Sequence, residues 1–227
     1  MTISGEDLRL LDTYLPFLAD LSENDRQATL QSISLRSYSA GALIHDGVSC
    51  SGLIVIKSGQ VRGFMESGGK EITLYRLLAG DVCVVTAACA LKNLNFTILL
   101  SAESDCEIYL LPTKIFEPLN RTNLHVKDFV LALMSTRLSE VMWVVEQTVF
   151  SSFDKRLASF LLEQRALSGS DTITLTHDQI ANHLGTAREV VTRMLRYFKS
   201  EGMVELSRGC IAIVNPKKLR ELEGALS

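Results

Sequence analysis

The spacing of apolar residues changes along the chain and separates it into parts with different secondary structure. Leucines recur at helical spacing in residues 4–35, whereas short apolar runs with a period of two fill residues 35–112 between glycine-containing turns. Short strands at regular spacing are typical of a β-sandwich, roll or barrel. Helical spacing returns in residues 123–149 and 152–167, so the pattern predicts an α+β chain.

The longest helical pattern, in residues 123–149, is apolar on two faces. One face follows the alternating three- and four-residue spacing of a heptad seam, through Leu131, Met134, Leu138, Val141 and Val145. The other face holds Phe129, Val130, Leu133 and Val144. One face can therefore pack on the helix's own domain while the seam pairs with a second copy of the chain. The alternative is a helix buried within one monomer.

Residues 176–199 have the spacing of a helix-turn-helix motif. Thr176-His-Asp-Gln179 has the form of a capping box, in which two side chains satisfy backbone amides at a helix start. Thr186-Ala-Arg-Glu189 has the same form, and Gly185 stands between them, where a tight turn needs a positive φ. We therefore expect two short helices joined at Gly185. The alternative is an ordinary helical hairpin.

The second helix of this motif carries side chains suited to base edges in DNA. Arginine donates twice to guanine, glutamate accepts from cytosine, and a threonine methyl contacts the thymine methyl. The candidate base-reading residues are Arg188, Glu189, Thr192 and Arg193. The alternative is a solvated helix in which Glu189 pairs with Arg193. A strand, turn and strand follow as a wing. Candidate phosphate contacts, which position the protein without reading sequence, are Thr176, His177, Thr186, Arg196, Lys199, Ser207 and Arg208.

Composition permits this interpretation. The formal net charge is −3, but residues 150–227 carry a slight excess of basic side chains. No apolar run is long enough to span a bilayer, and the N-terminus lacks a signal-peptide pattern, so we expect a cytoplasmic protein with no membrane partner. The five cysteines form no CxxC pair, and an odd count in a cytoplasmic chain favours free thiols over a disulfide scaffold.

Nearly the whole chain resembles the CRP/FNR family of cyclic-AMP receptor protein and fumarate-nitrate regulator relatives. The resemblance rests on residues 53–61 (LIVIKSGQV), 71–81 (EITLYRLLAGD) and 176–195 (THDQIANHLGTAREVVTRML). It implies a jelly-roll β-roll like the cyclic-nucleotide-binding domain, a long dimerisation helix and a C-terminal winged helix-turn-helix. The expected boundaries of these three parts are 1–122, 123–150 and 151–227.

The resemblance also implies how the protein acts. A homodimer would bind a palindromic DNA site and, if it acts as an activator, RNA polymerase. Arg188, Glu189 and Arg193 would read a half-site with a G-A step, of TGTGA type. An effector in the β-roll would switch DNA binding by re-packing the long helix against its mate.

The chain departs from the family pattern where effectors bind. Cyclic-AMP-binding members carry Gly-Glu and then Arg-Ser, whereas this chain has VCVVTAACAL in residues 82–91 and then Phe96 and Thr97. Residues 1–49 contain no cysteine, and an iron–sulfur cluster generally takes four thiolates. His45 is the only histidine of the sensor domain, and we expect it at the surface rather than on a haem. Cyclic AMP, an iron–sulfur cluster and haem are therefore all disfavoured, and the cofactor is unidentified.

Two cysteines lie in the region where the family binds effectors. Cys83 and Cys89 could form a reversible disulfide or a reactive thiolate, or they could be small buried hydrophobes. A third alternative is an apolar or aromatic small molecule in the roll. The candidate effector residues are Cys83, Cys89, Thr86, Phe96 and Thr97.

A jelly-roll enzyme of cupin type is the competing functional class. Cupin metal sites need clustered histidines with a carboxylate. Residues 35–112 contain His45 as their one histidine, so we expect neither a metal site nor catalytic residues. The sequence therefore favours a regulator over an enzyme.

Overall fold

A computed structural model describes residues 4–48, 51–86 and 97–224 of the chain. The chain divides into two compact units. The first contains residues up to 65 together with 74–141, and the second contains residues 66–73 together with 142–227. Within the described ranges, no helix combines the length and apolar character needed to cross a membrane.

The first unit begins with three short helical segments. They are α1 (Gly5–Tyr14), a 3-10 helix (Pro16–Asp20) and α2 (Glu23–Ser32). Ser4 forms a capping box with Asp7 at the start of α1, and the Ser22 side chain accepts from the amide of Asp25 at the start of α2. These hydroxyls satisfy amides that the first turn of a helix leaves open.

An antiparallel β-roll follows. Its described strands are β1 (Ser34–Tyr38), β2 (Leu43–His45), β3 (Gly52–Ser58), β4 (Val61–Ser67), β5 (Lys70–Leu77), β6 (Val82–Cys83), β7 (Leu99–Ala102) and β8 (Cys106–Pro112). Among the described residues they form two four-stranded sheets, ordered β1-β8-β3-β6 and β2-β7-β4-β5. Helical side chains and strand side chains share one apolar core, in which the rings of Phe17 and Phe129 meet edge to face at 5.2 Å.

A buried carboxylate anchors α1 on the roll. Asp7 is 6% exposed, and its Oδ1 accepts a hydrogen bond from the Tyr109 hydroxyl at 2.5 Å and lies 3.0 Å from Lys57 Nζ. The amide of Ser4 donates to Oδ2 at 2.9 Å. The Tyr109 hydrogen bond first, and then those from Ser4 and Lys57, hold the pKa of the Asp7 carboxyl well below its usual range. The N-terminal helix is thus fixed by a charged contact in addition to its apolar face.

Two helices follow the roll. They are α3 (Thr113–Thr122) and α4 (Leu124–Phe150). Val126 and Val130 of α4 are buried in the first core, and Phe129, Leu133 and Met134 pack partly against it. The prediction that one face of this helix packs on its own domain is confirmed.

The second unit is a helical bundle with a small sheet. Its elements are α5 (Phe153–Ser168), β9 (Thr172–Ile173), α6 (His177–Leu184), α7 (Arg188–Ser200), β10 (Val204–Ser207), β11 (Cys210–Ile213) and α8 (Pro216–Gly224). The strands form an antiparallel sheet in the order β10-β11-β9. A separate apolar core joins α5, α6, α7, α8 and this sheet.

The surface position expected for His45 is wrong. His45 lies in β2, is 5% exposed, and has Nδ1 3.4 Å from the Ser51 hydroxyl oxygen. Burial lowers the pKa of this imidazole more than the neighbouring Asp46 raises it. Alternation along β2 turns His45 inward, which the turn-like sequence around it did not indicate.

Candidate functional site

The helix-turn-helix begins with the predicted cap. The Thr176 hydroxyl accepts from the amide of Gln179 at 3.2 Å, and Oε1 of Gln179 accepts from the amide of Thr176 at 2.8 Å. At the other end of α6, Gly185 has φ +65° and its N–H donates to the carbonyl of Ala181. A β-carbon is disfavoured at this left-handed position, which explains the glycine between the two helices.

The second predicted cap, at Thr186, is wrong. Ala187 is the N-cap of α7, no side chain caps it, and the helix begins at Arg188. The amide of Thr186 instead donates to the carbonyl of Ala181 at 3.0 Å. Thr186 therefore belongs to the turn that closes α6, one residue too early to cap α7.

The α7 helix has one buried and one exposed face. Val191, Leu195 and Phe198 are fully buried in the second core. The polar candidates lie on the other side: Arg188, Glu189, Arg193 and Arg196 are exposed and Thr192 is half-buried. The expectation that one face of α7 is polar and the other is core is confirmed.

An ion pair links the two helices at the edge of this polar face. Arg188 Nη1 lies 3.4 Å from Asp178 Oδ2, and the two side chains are 62% and 64% exposed. Both groups are well solvated, so the pair is weak and a stronger anion can displace Asp178. Among the described residues the ion pair on this face joins Arg188 to Asp178 rather than Glu189 to Arg193. Sequence reasoning missed Asp178, since it lies on the other helix.

His177 reaches from α6 to the polar face of α7. Its Nδ1 lies 2.8 Å from the Thr192 hydroxyl oxygen. Burial first, and then the positive charges of Arg188 and Arg196, lower the pKa of the imidazole, while Asp178 raises it. His177 therefore orients the Thr192 hydroxyl. This pairing was not expected, because His177 was predicted to contact phosphate.

The remaining phosphate candidates surround the same face. Arg196 and Lys199 are exposed on α7, and Lys199 Nζ lies 3.4 Å from a Glu205 carboxylate oxygen. Ser207 and Arg208 are exposed at the β10–β11 turn. The helix and the wing thus both carry exposed cationic groups.

The effector candidates occupy different environments in the first unit. Cys83 is 1% exposed, and burial raises the pKa of its thiol. Thr86 is fully buried and donates to the carbonyl of Gly52 at 2.5 Å. Thr97 is exposed. Cys89 and Phe96 lie outside the described residues. The described residues contain no group of three or more His, Cys, Asp or Glu side chains placed to hold a metal ion.

A cluster that the sequence did not reveal lies beside Cys83. The guanidinium of Arg137 stacks on the ring of Tyr75 at 4.9 Å and donates to Glu140 at 2.5 Å. Tyr75 comes from β5 and Arg137 from α4, so a contact between them has no local sequence signal.

Known proteins match the chain along most of its length. Residues 155–222 match the Crp-like helix-turn-helix domain. The electron transport regulator A of Shewanella oneidensis is 25% identical over 219 residues, covering 92% of this chain and 86% of that protein. The fumarate and nitrate reduction regulatory protein of Vibrio cholerae is 25% identical over 231 residues, covering 98% and 91%. These relatives are transcription regulators, not enzymes.

Crystal structures share the fold. A CRP/FNR-family transcriptional regulator from Thermus thermophilus, at 23% identity, has a TM-score of 0.69 over 85% of this chain and 99% of its own, which shows the same fold. A structure assigned to a transcriptional regulator of the CRP/FNR family from Eubacterium rectale is 40% identical, with a TM-score of 0.91 over 93% of this chain and 99% of that one. The predicted fold class is confirmed, and the chain belongs to the CRP/FNR family of transcription regulators.

Proposed function

We propose that this regulator is a cytoplasmic homodimer that binds a palindromic DNA site through α7 and is switched by an effector in the β-roll. The β-roll would act as the sensor (1–122), α4 as the dimerisation helix (123–150) and the winged helix-turn-helix as the DNA reader (151–227). RNA polymerase is a further partner if the protein activates transcription.

The exposed face at the start of α7 carries this proposal. Arg188, Glu189 and Arg193 are exposed there on a helix whose opposite face is buried, so the helix can enter a major groove without losing its core contacts. Arginine and glutamate match guanine and cytosine edges, which is consistent with a TGTGA-type half-site. Thr192 lies on the same helix, and its hydroxyl is held by His177.

Phosphate contacts would come from the rim of this face. Arg196 and Lys199 on the helix and Arg208 on the wing are exposed and cationic. Thr176, His177, Thr186 and Ser207 supply shorter polar groups near the same elements. Such contacts set register and add affinity without sequence preference, and they weaken as salt rises.

The exposed apolar row of α4 supports the homodimer. Leu131, Leu138 and Val145 repeat every seven residues and are 66%, 63% and 44% exposed. Met142 and Val149 extend the row on the adjacent turn and are also exposed. Met134 and Val141, by contrast, are partly buried, and Met134 packs on the first core. We therefore place the centre of the seam on the seven-residue row, with Met134 and Val141 at its edge.

Fluorescence anisotropy with a labelled TGTGA-type palindrome tests the DNA proposal. The Arg193→Ala variant should lose about 1–3 kcal/mol of binding free energy on the palindrome and little on random DNA at the same salt. Arg121→Ala, which removes an exposed arginine from α3, is the matched control and should bind as wild type. Equal losses of Arg193→Ala on both DNAs would refute base reading by Arg193.

The same assay separates the two effector alternatives. A thiol switch predicts that the affinity changes on oxidation and that Cys83→Ser or Cys89→Ser removes the change. The burial of Cys83 and the raised pKa of its thiol support the small-molecule alternative, because a reactive cysteine acts as an exposed thiolate.

A further inference from the structure

The first turn of α6 supplies two side chains that contact the polar face of α7. Nδ1 of His177 lies 2.8 Å from the hydroxyl oxygen of Thr192. Oδ2 of the next residue, Asp178, lies 3.4 Å from Nη1 of Arg188. The capping box formed by Thr176 fixes the backbone of this turn. Consecutive residues of α6 therefore contact two of the side chains that we propose to read bases.

Asp178 places a negative charge on a surface that is otherwise mostly basic. Residues 176–199 contain four basic side chains and two carboxylates, which are Arg188, Arg193, Arg196 and Lys199, and Asp178 and Glu189. A carboxylate at a DNA-binding surface repels phosphates and weakens binding to every sequence. Glutamate on α7 can accept from a cytosine edge, but Asp178 belongs to the other helix and contacts Arg188. The contact with Arg188 is therefore the place to look for a role of Asp178.

The ion pair affects phosphate and guanine differently. A guanidinium has five N–H groups, so an Arg188 that contacts Asp178 through Nη1 can still donate twice from the edge formed by Nε and Nη2. The guanine acceptors O6 and N7 carry no net charge, and Asp178 can keep its contact while they bind that edge. A phosphate is an anion, so it is repelled by Asp178 and competes with it for the guanidinium. The ion pair therefore opposes phosphate contacts of Arg188 more than guanine contacts.

We propose that Asp178 is a positioning residue that determines specificity: it holds Arg188 for a guanine edge and lowers the affinity of Arg188 for phosphate. The result is weaker binding to DNA of random sequence at a smaller loss on the cognate site. This inference rests on the proposed function of α7 as the DNA reader, and it adds a residue outside α7 that sets its selectivity. An Asp178 with a structural role alone would stabilise the start of α6 through the helix dipole and leave selectivity unchanged.

Fluorescence anisotropy of the full-length Asp178→Asn variant on random DNA and on the TGTGA-type palindrome tests the proposal. For each Arg188 that contacts DNA, the affinity for random DNA should rise by about two- to fivefold, the strength of an exposed ion pair, and the affinity for the palindrome should change less. The slope of log affinity against log salt on random DNA should steepen by about one for each phosphate that Arg188 newly neutralises. Asp178→Glu, which keeps the carboxylate, should bind as wild type. An unchanged affinity of Asp178→Asn for random DNA would overturn the proposal.

A double-mutant cycle shows whether the effect of Asp178 passes through Arg188. The gain in affinity for random DNA that Asp178→Asn causes should disappear when Arg188 is already replaced by alanine. An equal gain in both backgrounds would contradict the positioning role, because a general change of charge acts without Arg188. Asp154→Asn, which removes the same charge from the first turn of α5, is the matched control and should leave the ratio of the two affinities as in wild type.

The two DNAs distinguish a failure of this inference from a failure of the proposed function. If the wild-type protein binds random DNA and shows no preference for the palindrome, the proposed half-site is wrong, and the comparison on random DNA still decides the role of Asp178. If the wild-type protein prefers the palindrome and Asp178→Asn keeps the same preference, the role of Asp178 is wrong and the proposed function stands.

Discussion

The substitution Leu138→Asp tests the dimer seam most directly. Leu138 is 63% exposed and lies at the centre of the row formed with Leu131 and Val145. Full burial of a leucine side chain is worth about 1.5–3 kcal/mol, so covering the exposed part is worth about 1–2 kcal/mol. A two-fold interface contains the residue twice, and the loss doubles to about 2–4 kcal/mol.

That loss is large enough to measure. It raises the dimer dissociation constant by about 30- to 700-fold, before the further cost of placing two carboxylates in an apolar seam. Sedimentation velocity over a range of protein concentrations measures this dissociation constant. The palindrome affinity should fall with it, because a monomer contacts one half-site instead of two.

A nearby site gives the control. Thr136 is exposed on the same helix but outside the seven-residue row, so Thr136→Asp introduces the same charge without touching the seam. It should sediment as wild type. A Leu138→Asp protein that remains dimeric at the same concentrations as wild type would refute the seam, and dissociation of Thr136→Asp would refute its location.

Two further substitutions test the fold, and one oxidation experiment tests the switch. Asp7→Asn should lower the free energy of unfolding by about 2–4 kcal/mol at neutral pH, because a charged acceptor of the Tyr109 hydroxyl is lost. Since folding lowers the pKa of the Asp7 carboxyl, the stabilisation that Asp7 provides is present above about pH 4 and is lost as the pH falls further. Urea titrations in which the variant and wild type differ equally at neutral pH and well below about pH 4 would contradict this. Gly185→Ala should cost about 1–2 kcal/mol at its positive φ and lower the melting temperature in calorimetry, so an unchanged temperature would count against the turn. Diamide should leave DNA affinity unchanged because Cys83 is buried, whereas a shift abolished in Cys83→Ser would establish a thiol switch.

Local signals explain the parts of the fold that the sequence predicted well. The start of α6 follows from Thr176 and Gln179, which are three residues apart, and its end follows from one glycine. The two faces of α7 follow from helical periodicity alone. The error at Thr186 is also local. Thr186 and Ala187 are adjacent candidates for the N-cap of α7, and Thr186 belongs to the turn that ends α6.

Long-range contacts explain what the sequence could not predict. Asp7 and Tyr109 are 102 positions apart in the sequence, and their hydrogen bond depends on how α1 packs against β8. In the sequence, Tyr75 is one more residue of an alternating strand. Arg137 is a charged residue between apolar ones, a position that predicts exposure to solvent. Their contact depends on how a strand and a helix pack, which neither segment encodes alone.

The uncapped start of α7 has a consequence for the order of events on DNA. The first amides of a helix have no partner within it, and Ala187 provides no side chain to replace one. Arg188 places a positive charge at the positive end of the helix, which is unfavourable, and the neighbouring Glu189 and Asp178 offset it. A backbone phosphate can bond these amides and neutralise this charge together, so we expect arrival on any DNA to stabilise the turn that carries the arginines proposed to read bases. Amide exchange at Arg188 and Glu189 should therefore slow on random DNA as well as on the operator, and sequence selection then takes place on a helix that non-specific contact has already completed.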